Sequence, residues 1–175
     1  MLILLSAFNF QLFSYLRRMA LVRILVDGYS LLHNWPELAE GRARHSAAAR
    51  DELIEQLTRY QDASGTPVTV FFDGNGTARK GSPDEFARRV EVIYSGAGQT
   101  ADDLIERAAF RFKDYGEVMV VTDDFAERDA VIGMGGTASS CGNFLRTMAG
   151  ARGEMDEDIK NHNRRERRQF NRPSI

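Results

Sequence analysis

The sequence predicts an α/β fold, a three-layer α/β/α sandwich around a central parallel sheet. Three observations carry that prediction. Short β-rich runs recur along the chain, and several are apolar without interruption, which marks strands buried on both faces. Segments with helical spacing of apolar residues separate them, and strands alternating with helices make a parallel sheet with helices on both sides. Acidic residues stand where the strands end, on the edge at which such sheets bind ligands.

The elements follow in order. Val22–Val26 (VRILV) is the first strand and runs into Asp27-Gly28. Ala43 to Gln61 reads as a helix, with Leu53, Ile54 and Leu57 at helical spacing among charges. Gly65-Thr66-Pro67 ends it. Val68–Phe72 (VTVFF) is the second strand, followed by Asp73-Gly74-Asn75-Gly76 and a polar loop through Pro83. Val90–Tyr94 is the third strand. Ala101 to Lys113 is helical, with Leu104, Ile105 and Ala108 on one stripe. Val118–Val121 is the fourth strand, Asp124–Ile132 a helix, and Gly135–Ser139 a short fifth strand. A last helix carries Phe144, Leu145 and Met148.

The chain has 175 residues, enough for one domain with extensions. A composition 43% apolar and 27% charged excludes wholesale disorder and collagen-like classes. The single cysteine, Cys141, cannot form an internal disulfide, and it lies too far from His33, His45 and His162 to spell a zinc site. A reducing compartment, the cytoplasm, is the expectation. The net charge of −2 hides an asymmetry. Residues 160–175 hold six basic side chains (Lys160, Arg164, Arg165, Arg167, Arg168, Arg172) and one acidic, Glu166. The first 159 residues therefore hold 17 basic and 24 acidic side chains, a body near −7 with a tail near +5.

The expected organisation is an apolar extension over 1–18, a domain over 19–150, and a basic, flexible tail over 151–175 that frays or forms an exposed helix. Residues 1–16 are apolar but too short and too often interrupted for a span of about 20 residues, and no positive region precedes them as in a secretory signal. The preferred reading is a non-native upstream start or a short accessory helix, with no stable membrane span; a membrane-associated helix is the alternative. The tail reads either as an electrostatic arm for phosphate backbones or as a solvated, solubilising segment.

The chemistry lies at the strand exits. Asp27 ends the first strand, Asp73 the second, and Asp123-Asp124 follow the fourth, while Asp102-Asp103 open a helix. Two unit charges 4 Å apart repel by about 4 kcal/mol at an effective dielectric near 20. A divalent cation, or retained protons, relieves such crowding. Oxygen ligands without clustered Cys or His favour Mg²⁺ or Mn²⁺. Each acid also has a structural reading. Asp-Gly pairs are turn formers, Thr100–Asp103 matches a capping box, and Asp124 with Glu127 forms another possible box. What favours a metal site is that all these acids fall on one edge.

At this point a resemblance can be stated. Ile24-Leu25-Val26-Asp27-Gly28-Tyr29-Ser30-Leu31-Leu32-His33 resembles the opening motif of YacP-like NYN domains, relatives of the PIN nucleases. Phe71–Gly74, Thr100–Ile105 and Val120–Asp124 look like the later motifs of that family, in the same order and spacing. The resemblance covers about Leu21 to Met148 and implies a PIN-like fold and Mg²⁺-dependent endoribonuclease activity, some members acting on mRNA at the ribosome. It marks Asp27, Asp73, Asp102 and Asp124 as metal-site acids. Asp27, Asp102 and Asp124 are the expected catalytic set. Asp103 and Asp123 complete the candidate ligands, although Asp123 stands where the family often has Ser. Ser30 replaces the usual Asn after Asp-Gly-Tyr.

Ser30 and His33 are candidate substrate contacts, although a lone His on a short helix is more often a structural residue. Arg79 and Lys80, with Arg164, Arg165, Arg167 and Arg168 of the tail, are the candidate phosphate contacts. A catalytically idle RNA- or ribosome-binding module of the same fold is the rival reading. An aspartyl-phosphate phosphatase wants Asp where Tyr29 stands, and a phospho-receiver domain wants a Lys between Lys113 and Lys160, where there is none.

Overall fold

The computed structural model describes residues 20–39, 43, 46–74 and 90–170 of the chain. Five parallel strands form one sheet in the order β3-β2-β1-β4-β5. They are β1 (Leu21–Asp27), β2 (Val68–Phe72), β3 (Glu91–Tyr94), β4 (Glu117–Val121) and β5 (Thr137–Ser139). The register aligns Val92, Val70, Val26, Val121 and Ser139 in one row across the sheet. The chain builds outward from β1 through β2 to β3, then returns to lay β4 on the other side of β1. That reversal opens a crevice at the carboxyl ends of β1 and β4.

Side-chain alternation sends each strand into two cores. Ile24 and Val26 of β1 join Val68, Val70 and Phe72 of β2 and Val121 of β4 on one face. Leu25, Phe71, Val118 and Val120 point to the other. This explains the unbroken apolar runs, since both faces of the central strands are dry.

The first face is covered by α1 (Gly28–His33), α2 (Ala47–Ser64) and α5 (Cys141–Phe170). Ser46 caps α2 by accepting the Ala49 N–H (3.2 Å), and Gly65 closes it at φ 71, a conformation costly for residues with a Cβ. Ala49, Leu53, Leu57 and Tyr60 form its buried stripe. Tyr60 meets Phe144 of α5 edge-on at 5.2 Å, binding the two helices together. The second face is covered by α3 (Ala101–Phe112), through Ala101, Ile105 and Ala109, and by α4 (Phe125–Gly133), through Val131.

The predicted elements are present, most with ends shifted by a few residues; α2 starts at Ala47 behind its Ser46 cap instead of at Ala43. α5 continues past Gly150 and runs to Phe170, so the described part of the basic tail takes the helical form, one of the two that the sequence allows. Residues 151–170 hold five Arg and three Glu, good helix formers, and contain no proline. No described helix is long and apolar enough to cross a membrane. The extension over 1–18 lies outside the described residues.

Candidate metal centre

Alternation along the strands also decides where their terminal acids point. Asp27 lies two residues beyond Leu25, so it faces the layer of α3 and α4. Gly28 then starts α1 directly, and the backbone N–H groups of Tyr29 and Ser30 donate to Asp27 Oδ1 at 3.0 and 3.1 Å. The glycine is required by space. A Cβ at position 28 would lie 2.2 Å from the buried Phe72 ring and 2.8 Å from the Phe71 carbonyl oxygen.

α3 brings the second acid. Thr100 and Asp103 form a reciprocal capping box, each side chain accepting the other's backbone N–H at 3.1 Å. That occupies Asp103 and leaves Asp102, one residue earlier, to face the crevice. The third acid comes from α4. Asp124 caps this helix, its Oδ1 accepting from Ala126 (2.7 Å) and Glu127 (3.3 Å). Glu127 does not answer as a capping-box partner, because the Asp124 N–H donates to the Thr122 hydroxyl instead (3.1 Å). Glu127 shares the inward face of α4 with Val131, one turn on, and is 3% exposed.

Asp27, Asp102 and Glu127 therefore converge, each offering an oxygen within 4.8 Å of the others. Both carboxylate oxygens of Glu127 are buried without a hydrogen-bond partner among the described residues. Burial pushes this carboxyl up to about 7 from its ordinary 4.5, and Asp102, Asp27 and Asp124 add to the rise. The Thr122 hydroxyl beside it lowers it, without reaching hydrogen-bond geometry. Asp27 is raised by burial and by the charges of Asp102 and Asp73, against the two N–H groups that lower it. Asp102 is raised by burial and then by Asp124, Asp73 and Asp103.

A buried carboxylate with no partner is costly, and at an effective dielectric of 20 each pair at this spacing repels by about 3–4 kcal/mol. Either a proton or a cation must relieve the cluster. Three oxygen donors with no nitrogen or sulfur among them suit a hard divalent ion, and oxygens on opposite sides of such an ion lie about 4–5 Å apart. The residues present fit a metal.

The other sequence-predicted ligands take different places. Asp124 stands beside the centre, close enough to act electrostatically on Asp102 and Glu127, with one oxygen committed to its cap. Asp73 bridges two elements, accepting the Ala101 N–H at the start of α3 (2.7 Å) and the Ser95 hydroxyl (3.2 Å). The structure does not bring Asp103 or Asp123 into the three-acid centre. Asp123 follows Val121 in alternation, so it faces the opposite layer and accepts the Cys141 N–H at the start of α5 (2.9 Å). Ser30 completes this tie, accepting the Asp123 N–H (3.0 Å) and the Cys141 thiol (3.4 Å). It is a structural joint between β4, α1 and α5. Burial holds the Cys141 thiol up at about 12, so it stays protonated.

His33 is exposed in the last turn of α1, and Arg164 is exposed on α5. Arg79 and Lys80 lie outside the described residues, as do the side chains of Arg165, Arg167 and Arg168. Glu127 is the residue that sequence reasoning assigned to a cap. Its signal was present: a Glu in phase with Val131 on the inward stripe of an amphipathic helix has no solvent to face.

Comparison with known proteins bears on this arrangement. The profile of the YacP-like NYN domain matches residues 24–173. The chain is 35% identical over 127 residues to a Bacillus subtilis protein named "Uncharacterized protein YacP", a match covering 70% of this chain and 72% of the relative. It is similar to the crystal structure of Rae1 (YacP) from Bacillus subtilis, with a TM-score of 0.69 at 29% identity over 86% of each chain. A point variant of that protein matches with a TM-score of 0.67 at 30% identity, covering 81% of this chain and 83% of the other.

Proposed function

The chain belongs to the YacP-like NYN domain family, and from that premise we propose that it is a divalent-metal-dependent endoribonuclease. The observation that carries the reading is the convergence of Asp27, Asp102 and Glu127, from three separate elements, around a buried carboxylate with no partner of its own. In this reading those three side chains hold Mg²⁺ or Mn²⁺, and Asp124 and Asp73 stand by as further acceptors. Once bound, such an ion supplies an acidified water and positive charge against the phosphate oxygens.

The protein's own groups do the rest. The N–H groups of α1 fix one oxygen of Asp27, so its carboxylate is aimed before any ligand arrives. The capping box sets the first turn of α3 and thereby the position of Asp102. Glu127, held up at about 7, keeps part of its proton at neutral pH and would give it up to a bound cation. Hydrolysis of this class leaves a 5′-phosphate and a 3′-hydroxyl.

We place the reaction in the cytoplasm and extend the substrate to mRNA carried on the ribosome. The acidic body and the basic end of α5 support an approach to a polyanion by that end first. The test is cleavage of free and ribosome-bound RNA with Mg²⁺ or Mn²⁺, alongside Asp102→Asn. Metal-dependent cleavage that the variant lacks is the expected result. RNA binding without cleavage by the wild-type protein overturns the enzyme reading in favour of an inactive binding module.

A further inference from the structure

We propose that Phe125 is a stacking platform for a nucleobase of single-stranded RNA beside the carboxylate centre, with Arg128 as its cationic flank; the identity of the polymer rests on the nuclease reading above. Phe125 is 77% exposed, the most exposed of the large hydrophobic residues described. An isolated exposed apolar side chain is ordinary on a protein surface. This one is distinguished by its place and its neighbour.

Phe125 opens α4, directly after Asp124 and two residues before Glu127. At about 100° per residue it lies roughly opposite Glu127 around the helix, so the ring does not enter the acid pocket. Side chains on a helix lean toward its N-terminus, and the N-terminus of α4 faces the carboxyl edge of the sheet. The ring therefore stands on the rim of the crevice, against the strand that would enter it.

Arg128, about 60° around the helix from Phe125, holds its guanidinium 5.6 Å from the ring centroid. Among the described residues it makes no ion pair and no side-chain hydrogen bond, although several carboxylates lie within the same turn of chain. A planar apolar face with an uncommitted cation beside it matches one repeat of a single-stranded nucleic acid, a base with its phosphate. The base held there is one flanking the scissile phosphate, since the ring is beside the acids and not among them.

The experiment uses Asp102→Asn protein with Mg²⁺ and a short single-stranded RNA carrying the fluorescent adenine analogue aminopurine. Stacking should quench the fluorescence. Adding Phe125→Ala should abolish the quench and weaken binding about tenfold, within the range seen for losing one aromatic–base stack. Phe125→Tyr should restore both, while Phe125→Leu, apolar but without a π face, should behave as the alanine variant does. Arg128→Gln should lower the salt dependence of binding by about one phosphate contact. RNA that fails to bind, binds without quenching, or binds equally well to Phe125→Ala overturns the platform and leaves the ring as a contact for some other partner. Cleavage by the wild-type protein is scored separately. Cleavage without any dependence on Phe125 refutes the platform alone, whereas Phe125-dependent quenching without cleavage refutes the nuclease reading alone.

Discussion

Replacing Glu127 with Gln isolates the cost of burying this carboxyl without a cation. In the unfolded chain this carboxyl ionises near 4.5, whereas burial and three neighbouring acids hold it at about 7 in the folded protein. The sign follows from proton counting. Below pH 4.5 both states carry the proton and Glu127 contributes nothing. Between 4.5 and 7 the unfolded state releases the proton while the folded state keeps it, so stability falls as pH rises. Above 7 the penalty is complete, about 3 kcal/mol at 1.36 kcal/mol per pH unit. Gln keeps the shape and removes the ionisation. In EDTA at pH 8, Glu127→Gln should therefore melt higher than the wild-type protein by roughly 6–12 °C, and the gap should close at pH 4. Excess Mg²⁺ should reverse the order, because binding to the folded state stabilises it by mass action and the variant has lost a ligand. The assay is thermal unfolding monitored by circular dichroism across pH, with and without metal. Superimposable curves for the two proteins in EDTA would refute the unpaired burial of Glu127. Equal stabilisation by Mg²⁺ would remove it from the ligand set.

Substitutions at three further positions separate structure from chemistry at this edge. Asp27→Asn keeps the α1 cap, because Asn and Asp cap equally well, so its unfolding midpoint should hold while RNA cleavage falls more than about a hundredfold; Asp27→Ala should lose about 1 kcal/mol of stability as well. Gly28→Ala should cost about 1–3 kcal/mol in urea unfolding, since the new methyl meets a buried ring and a backbone carbonyl. Asp123→Asn should leave both folding and cleavage intact, because its amide oxygen still accepts the Cys141 N–H, whereas Asp123→Ala should cost about 1–3 kcal/mol by orphaning that group. A collapse of cleavage in Asp123→Asn would return this residue to the metal centre.

How much could be read in advance differs between the frame and the site. The β-rich runs placed the first four strands, and the fifth was read from the short Gly135–Ser139 segment. The Gly65 break after α2 was legible as local capping chemistry, whereas its Ser46 cap was passed over for a start at Ala43. The Thr100–Asp103 box was legible for the same reason, as both partners lie within four residues. The box suggested at Asp124 was only half formed. Its second member had a stronger demand on it, since a position in phase with Val131 must face inward whatever its cap-forming capacity.

The sequence by itself determined that β1, β2 and β4 are buried strands of a parallel sheet, and hence that Asp27, Asp73 and the Asp123-Asp124 pair share its carboxyl edge. Only the tertiary structure decided which of those acids meet. In a strand apolar on every residue, hydropathy carries no record of which layer each side chain faces. Alternation sends Asp27 toward α3 and α4 and Asp123 toward α5, and that parity becomes visible only when the helices are in place. Packing then supplies Glu127, whose chemistry arises from being denied water and not from any motif around it.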